Sequence, residues 1–324
     1  MNTTRNQLIE LLEGKNQEFF SGQKLSEQLG ISRTAVWKHM KELEKEGYQL
    51  EAVPRKGYRI SGRPEKLSES AIRWGLRTKW AGKNLYHYPV VHSTQIIGHQ
   101  LAQEGASQGT VVIADEQTAG KGRMGRKWHS AKTDGIWMSM ILRPPVVPQH
   151  APQITLLTAV ALAETIKSHT NLSPAIKWPN DIFLNHRKTA GILTEMQAEQ
   201  DEIQYIVLGI GINVNQYLEQ LPEEIQQTAT SLRQETNKSW VIAPIVQEIL
   251  ATFEKYYEHY LNNGFEAIKQ KWESFGYKIG EKVKVAANKQ KYEAEILGLA
   301  DDGALRVRRP DGLEENLYSA EIHW

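Results

Sequence analysis

The sequence predicts an α+β protein in three segments, and three observations carry that reading. Residues 1–63 show short helical patterns around a glycine turn, closed by two short strands. Residues 64–272 mix isolated strands with long helical stretches. Residues 273–324 hold only short strands between regularly spaced turn signals.

In the first segment Leu8, Ile9, Leu11 and Leu12 give one helix an apolar face, with Gly14 near its end. Ser21-Gly22 opens Lys24–Leu29, Gly30 makes a tight turn, and Ser32 is placed to cap Arg33–Glu46. Val36, Met40 and Leu43 recur at spacings of four and three, so one stripe of that helix faces inward. Gly47 ends it. Tyr48–Val53 and Gly57–Ile60 then read as strands joined by Pro54-Arg55-Lys56, and Ser61-Gly62-Arg63-Pro64 as a linker.

Two helices about a glycine turn, followed by a hairpin, make a winged helix-turn-helix. Ser32, Arg33, Thr34, Trp37, Lys38 and Lys41 lie away from the apolar stripe. Arg33 suits bidentate contact with guanine, while Lys38 and Lys41 suit phosphates. Arg55 and Lys56 at the wing tip would reach an adjacent backbone. Charge points the same way: residues 1–63 carry 11 Lys/Arg against 8 Asp/Glu, a net of +3, in a chain whose total is +1. DNA is the expected partner of this segment; a helical packing module with a solvated charged face is the alternative.

In the middle segment the strand candidates are Asn84–Val91, Thr110–Asp115, Ile136–Leu142, Ala175–Trp178, Thr189–Met196 and Ile203–Ile212. Helices are expected over Thr94–Gln103, Gln153–His169 and Ala243–Asn262, the last with Pro244 in its first turn. That order implies a largely antiparallel or mixed sheet with helices against it. In the last segment Lys282–Ala286, Tyr292–Leu299, Ala304–Arg308 and Leu313–Tyr318 alternate with Asn288-Lys289, Asp301-Asp302-Gly303 and Pro310-Asp311-Gly312. Such spacing describes a small β-barrel.

Composition narrows the chemistry. The chain has 324 residues and no cysteine, which excludes disulfides, thiol nucleophiles and thiolate metal sites. No apolar run approaches the ~20 residues of a membrane span, and MNTTRNQLIE lacks a signal-peptide core. A cytoplasmic protein with no membrane partner is therefore expected. There is no H-E-x-x-H or Walker A sequence, and the ten histidines show no metal-ligand spacing.

The run Gly120-Lys121-Gly122-Arg123-Met124-Gly125 formally matches the dinucleotide fingerprint G-x-G-x-x-G. That fingerprint needs a helix directly after it and an acidic residue ~20 positions on. Neither is expected here. The glycines and Lys121, Arg123, Arg126 and Lys127 instead describe an anion cradle of backbone N–H groups and cations. Two anions brought together, a carboxylate and a phosphate, need fixed cations more than a nucleophile.

A second cluster, Lys177-Trp178-Pro179-Asn180-Asp181, ends a strand, and Lys188-Thr189-Ala190-Gly191 opens the next. A hairpin through Asn185-His186-Arg187 would set them side by side. Asn180 and Asp181 are candidate ligands for Mg²⁺ or phosphate-bound water. Gly209-Ile210-Gly211-Ile212-Asn213 adds a glycine-rich strand end that a nucleotide could approach closely.

The motifs GKGRMGRKWHS (120–130), KWPND (177–181), KTAGIL (188–193) and GIGINV (209–214) resemble those of the biotin–protein ligases. With the N-terminal helix-turn-helix, the whole chain resembles the bacterial group that joins biotin ligase to biotin-operon repressor. The resemblance implies a winged helix, an α+β ligase domain and an SH3-like C-terminal barrel. It implies biotin and MgATP forming biotinyl-5′-AMP, then transfer to a lysine of a biotin carboxyl carrier protein.

By matching motifs, Ser93, Thr94, Gln95 and Gln117 would hold the biotin ring, with Lys121, Gly122, Arg123, Lys188 and Gly191 along its tail. Arg123, Arg126 and Lys188 would be catalytic through charge stabilisation. Gly120, Trp128, Asn180 and Asn213 would serve the nucleotide, and Asp181 the metal. The resemblance also implies a homodimer, assembled when the adenylate binds as corepressor, on operator DNA. Lys121 stands where the group has arginine, and Gln95 where it has asparagine. A lipoate or octanoate transferase, and a sensing transcription factor without ligase activity, are the competing readings.

Overall fold

The structure, a computed structural model, describes residues 4–13, 18–45, 47–62, 66–131, 134–287 and 290–323. Gly14, Glu46 at the end of the expected helix Arg33–Glu46, the Arg63-Pro64 part of the expected linker and the Asn288-Lys289 turn lie outside these. Two units are distinguished, Met1–Arg77 with Val241–Gln247, and Thr78–Trp240 with Glu248–Trp324.

The first unit contains α1 (Thr4–Glu13), α2 (Gly22–Leu29), α3 (Arg33–Lys45), β1 (Gln49–Val53), β2 (Gly57–Gly62) and the short α4 (Glu69–Arg73). Ser21 caps α2 by accepting a hydrogen bond from the Lys24 N–H at 3.2 Å, and Gly30 closes that helix at φ 65°. Ser32 caps α3, its hydroxyl accepting from the Ala35 N–H at 3.1 Å. Leu8, Leu25, Val36, Met40 and Leu43 are buried together with Phe20 and Ile60. The inward stripe read from the spacing is therefore the core of this unit. β1 and β2 pair antiparallel, and a Cβ on Gly57, at φ 110°, would stand 2.1 Å from the Phe20 carbonyl oxygen. Only glycine fits where the wing meets the helices.

The second unit is built on a seven-stranded mixed sheet ordered β3-β4-β5-β9-β8-β7-β6. Its elements begin with β3 (Leu85–Tyr88), α5 (Thr94–Gln103), β4 (Val111–Ala114), β5 (Gly135–Leu142) and α6 (Ala151–Thr170). They continue with β6 (Ala175–Lys177), β7 (Asp181–Leu184), β8 (Arg187–Glu199) and β9 (Glu202–Asn213). Only β3 and β4 run parallel. Every residue of β5 is buried, as expected for a strand covered on both faces. Most of α6 is buried against this sheet and α10 (Glu266–Phe275), the latter unforeseen from the sequence. Between β9 and α10 come α7 (Glu223–Gln226), α8 (Leu232–Thr236) and α9 (Ile242–Asn263).

The sequence placed one hairpin after Asp181, whereas the structure has a three-strand meander. Trp178-Pro179-Asn180 is itself a turn with a cis Trp178–Pro179 bond, so Lys177 pairs with Asp181 across it. Asn185 and His186 then form a second turn with φ 47° and 64°. Two positive φ values give the two-residue turn that matches strand twist.

The chain ends in an antiparallel five-stranded sheet, β10 (Lys282–Ala287), β11 (Gln290–Leu299), β12 (Leu305–Arg308), β13 (Glu314–Leu317) and β14 (Glu321–His323), ordered β13-β12-β11-β10-β14. Among the described residues β13 and β14 are its two edges. Among these residues, too, no helix is long and apolar enough to cross a membrane.

Candidate active site

The ends of β7, β8 and β9, the start of α5 and the loop 120–128 enclose a cavity of about 730 Å³. The loop is closed at its base by the Trp128 N–H donating to the Gly120 carbonyl at 2.9 Å, and within it the Gly122 N–H donates to the Arg126 carbonyl at 2.7 Å. Between these contacts Arg123–Gly125 form a tight turn in which Met124 and Gly125 have φ 54° and 72°. A Cβ on Gly120 would lie 2.5 Å from the Trp128 carbonyl oxygen. The first glycine is thus fixed by crowding. No α-helix follows the loop over residues 126–131, in keeping with rejection of the dinucleotide fingerprint.

One end of the cavity is a chain of neutral hydrogen bonds. The Thr94 N–H donates to Gln117 Oε1 at 2.8 Å, and Gln117 Nε2 donates to Ser130 Oγ at 2.8 Å. Thr94 Oγ1 lies 2.8 Å from Ser139 Oγ, which donates to Gln95 Oε1 at 2.9 Å. Gln95 Nε2 is held by the Val207 carbonyl at 2.9 Å. Ser93 caps α5 through the Gln95 N–H. Such a fully partnered buried network fixes its side chains in one arrangement, ready to exchange partners with a polar ring.

The other end is cationic. Arg123, Arg126, Lys177 and Lys188 line it with a single carboxylate, Asp181. Lys188 Nζ is 2.7 Å from Asp181 Oδ1 and 5.2 Å from the centre of the Trp128 ring. Arg123 Nη1 donates to Asn180 Oδ1 at 3.0 Å, and Asn180 Nδ2 donates to the Ile192 carbonyl at 2.8 Å. Burial pushes the Arg123 guanidinium below its ordinary range, with Asp181 opposing and Arg126 adding. Burial also lowers the Lys177 ammonium, Asp181 again opposing and Lys188 and Arg126 adding. Crowded, partly desolvated cations of this kind are relieved by an anion.

Trp128 joins the two ends. Cβ atoms on Gly191 and Gly211 would come 2.8 and 2.6 Å from its ring. Adjacent strands β8 and β9 pair these two glycines directly, leaving a flat patch for the indole. The indole Nε1 is buried without a hydrogen-bond acceptor among the described residues.

Residues 88–213 match the Biotin/lipoate A/B protein ligase family, residues 4–59 an HTH domain and residues 278–323 the Biotin protein ligase C terminal domain. Bifunctional ligase/repressor BirA of Bacillus spizizenii is 49% identical over 99% of this chain and 98% of its own. The chain belongs to the BirA family. BirA of Escherichia coli is 30% identical over 99% of this chain and 97% of its own. Among solved structures, biotin protein ligase from Aquifex aeolicus in complex with biotin and ATP superposes with a TM-score of 0.65 at 30% identity, covering 74% of this chain and 99% of that one.

In this BirA-family chain the structure gathers Ser93, Thr94, Gln95, Gln117, Lys121, Gly122, Arg123, Arg126, Trp128, Asn180, Asp181, Lys188 and Gly191 on one cavity wall. Gly120 and Asn213 stand off it. Gly120 sits at the base of the loop, and the buried Asn213 donates through Nδ2 to the Thr230 carbonyl at 3.0 Å. Among the described residues no three carboxylates or imidazoles converge as a metal cage. Mg²⁺ needs only one or two carboxylates when phosphates supply its other oxygens, so Asp181 alone fits a metal that arrives with a triphosphate.

Sequence reasoning did not assign roles to Ser139 and Lys177. Ser139 is a lone hydroxyl in the apolar run Gly135–Leu142, and that misfit was its signal. Lys177 was noted only as a cation in KWPND; the turn that pairs it with Asp181 and sets it among the cavity's lining residues lay inside what read as a strand end.

In the first unit, Arg33, Thr34, Trp37 and Lys38 are exposed on α3, opposite its buried stripe, and Arg55 and Lys56 form the exposed wing turn. Trp37 is 50% exposed. Lys41 is paired with Glu44 at 2.6 Å, which leaves Arg33 and Lys38 as the nearer candidates for phosphate or base contact.

Proposed function

We propose that this chain is a biotin–protein ligase that also represses transcription, and that the 730 Å³ cavity holds biotinyl-5′-AMP. The observation that carries the reading is the cavity's division into a neutral hydrogen-bonding end and a cationic end. The ureido ring of biotin exchanges hydrogen bonds with Ser93, Thr94, Gln95 and Gln117. Its tail runs past Lys121, Gly122 and Gly191 toward Arg123 and Lys188.

The biotin carboxylate attacks the α-phosphorus of ATP and pyrophosphate departs. Arg123, Arg126 and Lys188 hold the oxygens on which charge develops, at positions fixed before the reaction begins. Trp128 stacks on adenine, and Asn180 orients Arg123 beside the phosphates. Gly120 and Asn213 support this end from behind the wall rather than by contact. Asp181 would hold a Mg²⁺ ion that arrives with the phosphates, and the ion would supply charge neutralisation there. A lysine amine of a biotin carboxyl carrier protein then attacks the acyl carbon and releases AMP, Lys188 again stabilising the departing charge.

The winged helix reads operator DNA with Arg33, Thr34, Trp37 and Lys38, Ser32 capping the helix, while Arg55 and Lys56 contact backbone. The adenylate acts as corepressor by favouring a homodimer whose two helices meet two half-sites. The modules are 1–63, 64–272 and an SH3-like 273–324, and the protein works in the cytoplasm. The last junction falls inside α10, so a physical cut between modules belongs after Phe275.

The test is adenylate formation from biotin and α-labelled MgATP without carrier or DNA, with lipoate as control. A biotin-dependent labelled product is expected. Folded protein that binds biotin yet forms none would leave a sensing repressor without ligase activity. Sedimentation with and without adenylate tests the dimer; an unchanged equilibrium would remove the corepressor mechanism.

A further inference from the structure

A buried carboxylate outside the cavity is bonded to the residues that flank Lys188. Glu235 of α8 has a side chain only 4% exposed, and it does not line the cavity. It accepts from Arg187 Nη2 at 2.7 Å and also from Asn185 Nδ2 and the Thr230 hydroxyl. Three donors thus converge on one buried carboxylate. Two of them, Asn185 in the β7–β8 turn and Arg187 directly after it, come immediately before Lys188.

The third donor belongs to a strap that grips Lys188 itself. The Lys188 N–H donates to the Thr228 carbonyl and the Thr230 N–H donates to the Lys188 carbonyl, both at 2.8 Å. The backbone of Lys188 is therefore held on both sides by residues 228–230, like one residue of a strand. Asn213 donates to the Thr230 carbonyl, tying the end of β9 into the same strap. The turn is also held from its far side by His186 Nδ1 against the Tyr277 hydroxyl at 2.8 Å. Glu235 is where turn and strap are joined by charge.

We infer that Glu235 is a positioning residue for the ligase reaction, setting the backbone and hence the ammonium of Lys188 through Arg187, Asn185 and Thr230. The inference rests on the ligase reading above. A neutral side chain at 235 removes the charge and one of the two acceptor oxygens on which Arg187, Asn185 and Thr230 converge, and lets the turn and the strap move independently. A displacement near 1 Å at a charge-stabilising group lowers rate by up to about a hundredfold. It would not alter the ureido end of the cavity, which is held by the α5 and β5 residues.

The experiment is a double-mutant cycle on carrier-free adenylate formation, using Glu235→Gln and Lys188→Met singly and together. Glu235→Gln is expected to lower kcat about tenfold or more while the KM for biotin stays within about twofold. In the Lys188→Met background the same change should have almost no further effect on kcat. A carboxylate that only stabilises the fold would reduce kcat by a similar factor in both backgrounds, and that result overturns the inference. So does an unchanged kcat in Glu235→Gln.

Arg187→Met, which removes one donor at a half-exposed position, gives a second route through the same cycle if Glu235→Gln does not fold. Wild-type protein that forms no adenylate would remove the ligase reading and the positioning role together. An active wild type with additive variants would remove the positioning role alone.

Discussion

Lys188 Nζ and Asp181 Oδ1 stand 2.7 Å apart across the β7–β8 ladder, and Asp181 is the lone carboxylate among the cavity's charged residues. The pair follows from the meander. Asp181 opens β7 opposite Gly191, and the absence of a side chain at Gly191 lets the lysine chain pass, its Cε 3.3 Å from where a Cβ would be. The carboxylate keeps the ammonium inside the cavity while leaving it exchangeable for a phosphate oxygen.

Lys188→Met keeps much of the chain length and removes only the charge. Loss of one preorganised charge-stabilising group costs about 10²–10³ in rate. Adenylate formation and transfer to the carrier should both fall by that order, with little change in the KM for biotin. Rapid-quench measurement of each half-reaction checks this. Rates within about twofold of wild type would reduce Lys188 to an ion-pair strut.

Gly211 tests the indole. Its added Cβ would meet Trp128 at 2.6 Å, while Gly211 has no left-handed backbone to strain. Gly211→Ala should therefore displace the ring rather than the strand, at a stability cost of about 1–3 kcal/mol from overpacking. The KM for ATP is expected to rise more than the KM for biotin. Equal rises would mean that the ring does not carry the adenine.

The readable part of the site was whatever packing or chemistry had written locally. Val36, Met40 and Leu43 fall at helical spacing because they fill one core, so α3 was legible to within a residue. Thr94–Gln103 matched its helix because Ser93 caps it. The meander was not legible, because Trp178-Pro179-Asn180 reads as the end of one strand, whereas it is the turn between two that pair Lys177 with Asp181. Asn213 reads as a nucleotide ligand by motif, and in the structure its Nδ2 donates to the carbonyl of Thr230, seventeen residues on. Long-range partners of this kind leave no periodic mark. The family resemblance supplied chemistry that spacing alone could not, but it did not show which residues touch the cavity and which stand behind it.

Lys177 gives the site a pH signature. Burial holds its ammonium below the ordinary value of 10.5. A buried lysine is charged below its folded pKa and neutral above it, so an anion is bound best at the lower pH. Pyrophosphate affinity, measured calorimetrically at constant ionic strength, should start to weaken before pH reaches 10.5. Proton uptake should accompany binding over the same interval. Lys177→Met should weaken binding at neutral pH and abolish that dependence. A dependence that survives the substitution would remove Lys177 as its source.

Arg33 and Lys56 separate reading from holding. Arg33 begins α3, directly after the Ser32 cap, so its side chain leaves the helix at the end that enters a groove. Lys56 sits in the wing turn, between Arg55 at φ 66° and Gly57 at φ 110°, away from that helix in sequence but in the same unit. Arg33→Ala is expected to cost about 1–3 kcal/mol on an operator duplex and little on scrambled DNA. Lys56→Ala should weaken both about equally and reduce the slope of log K against log salt by about 1. Anisotropy titrations of both duplexes at several salt concentrations distinguish the two. If Arg33→Ala also weakened both duplexes equally, the helix would be holding backbone, and base readout would have to come from Thr34, Trp37 or Lys38.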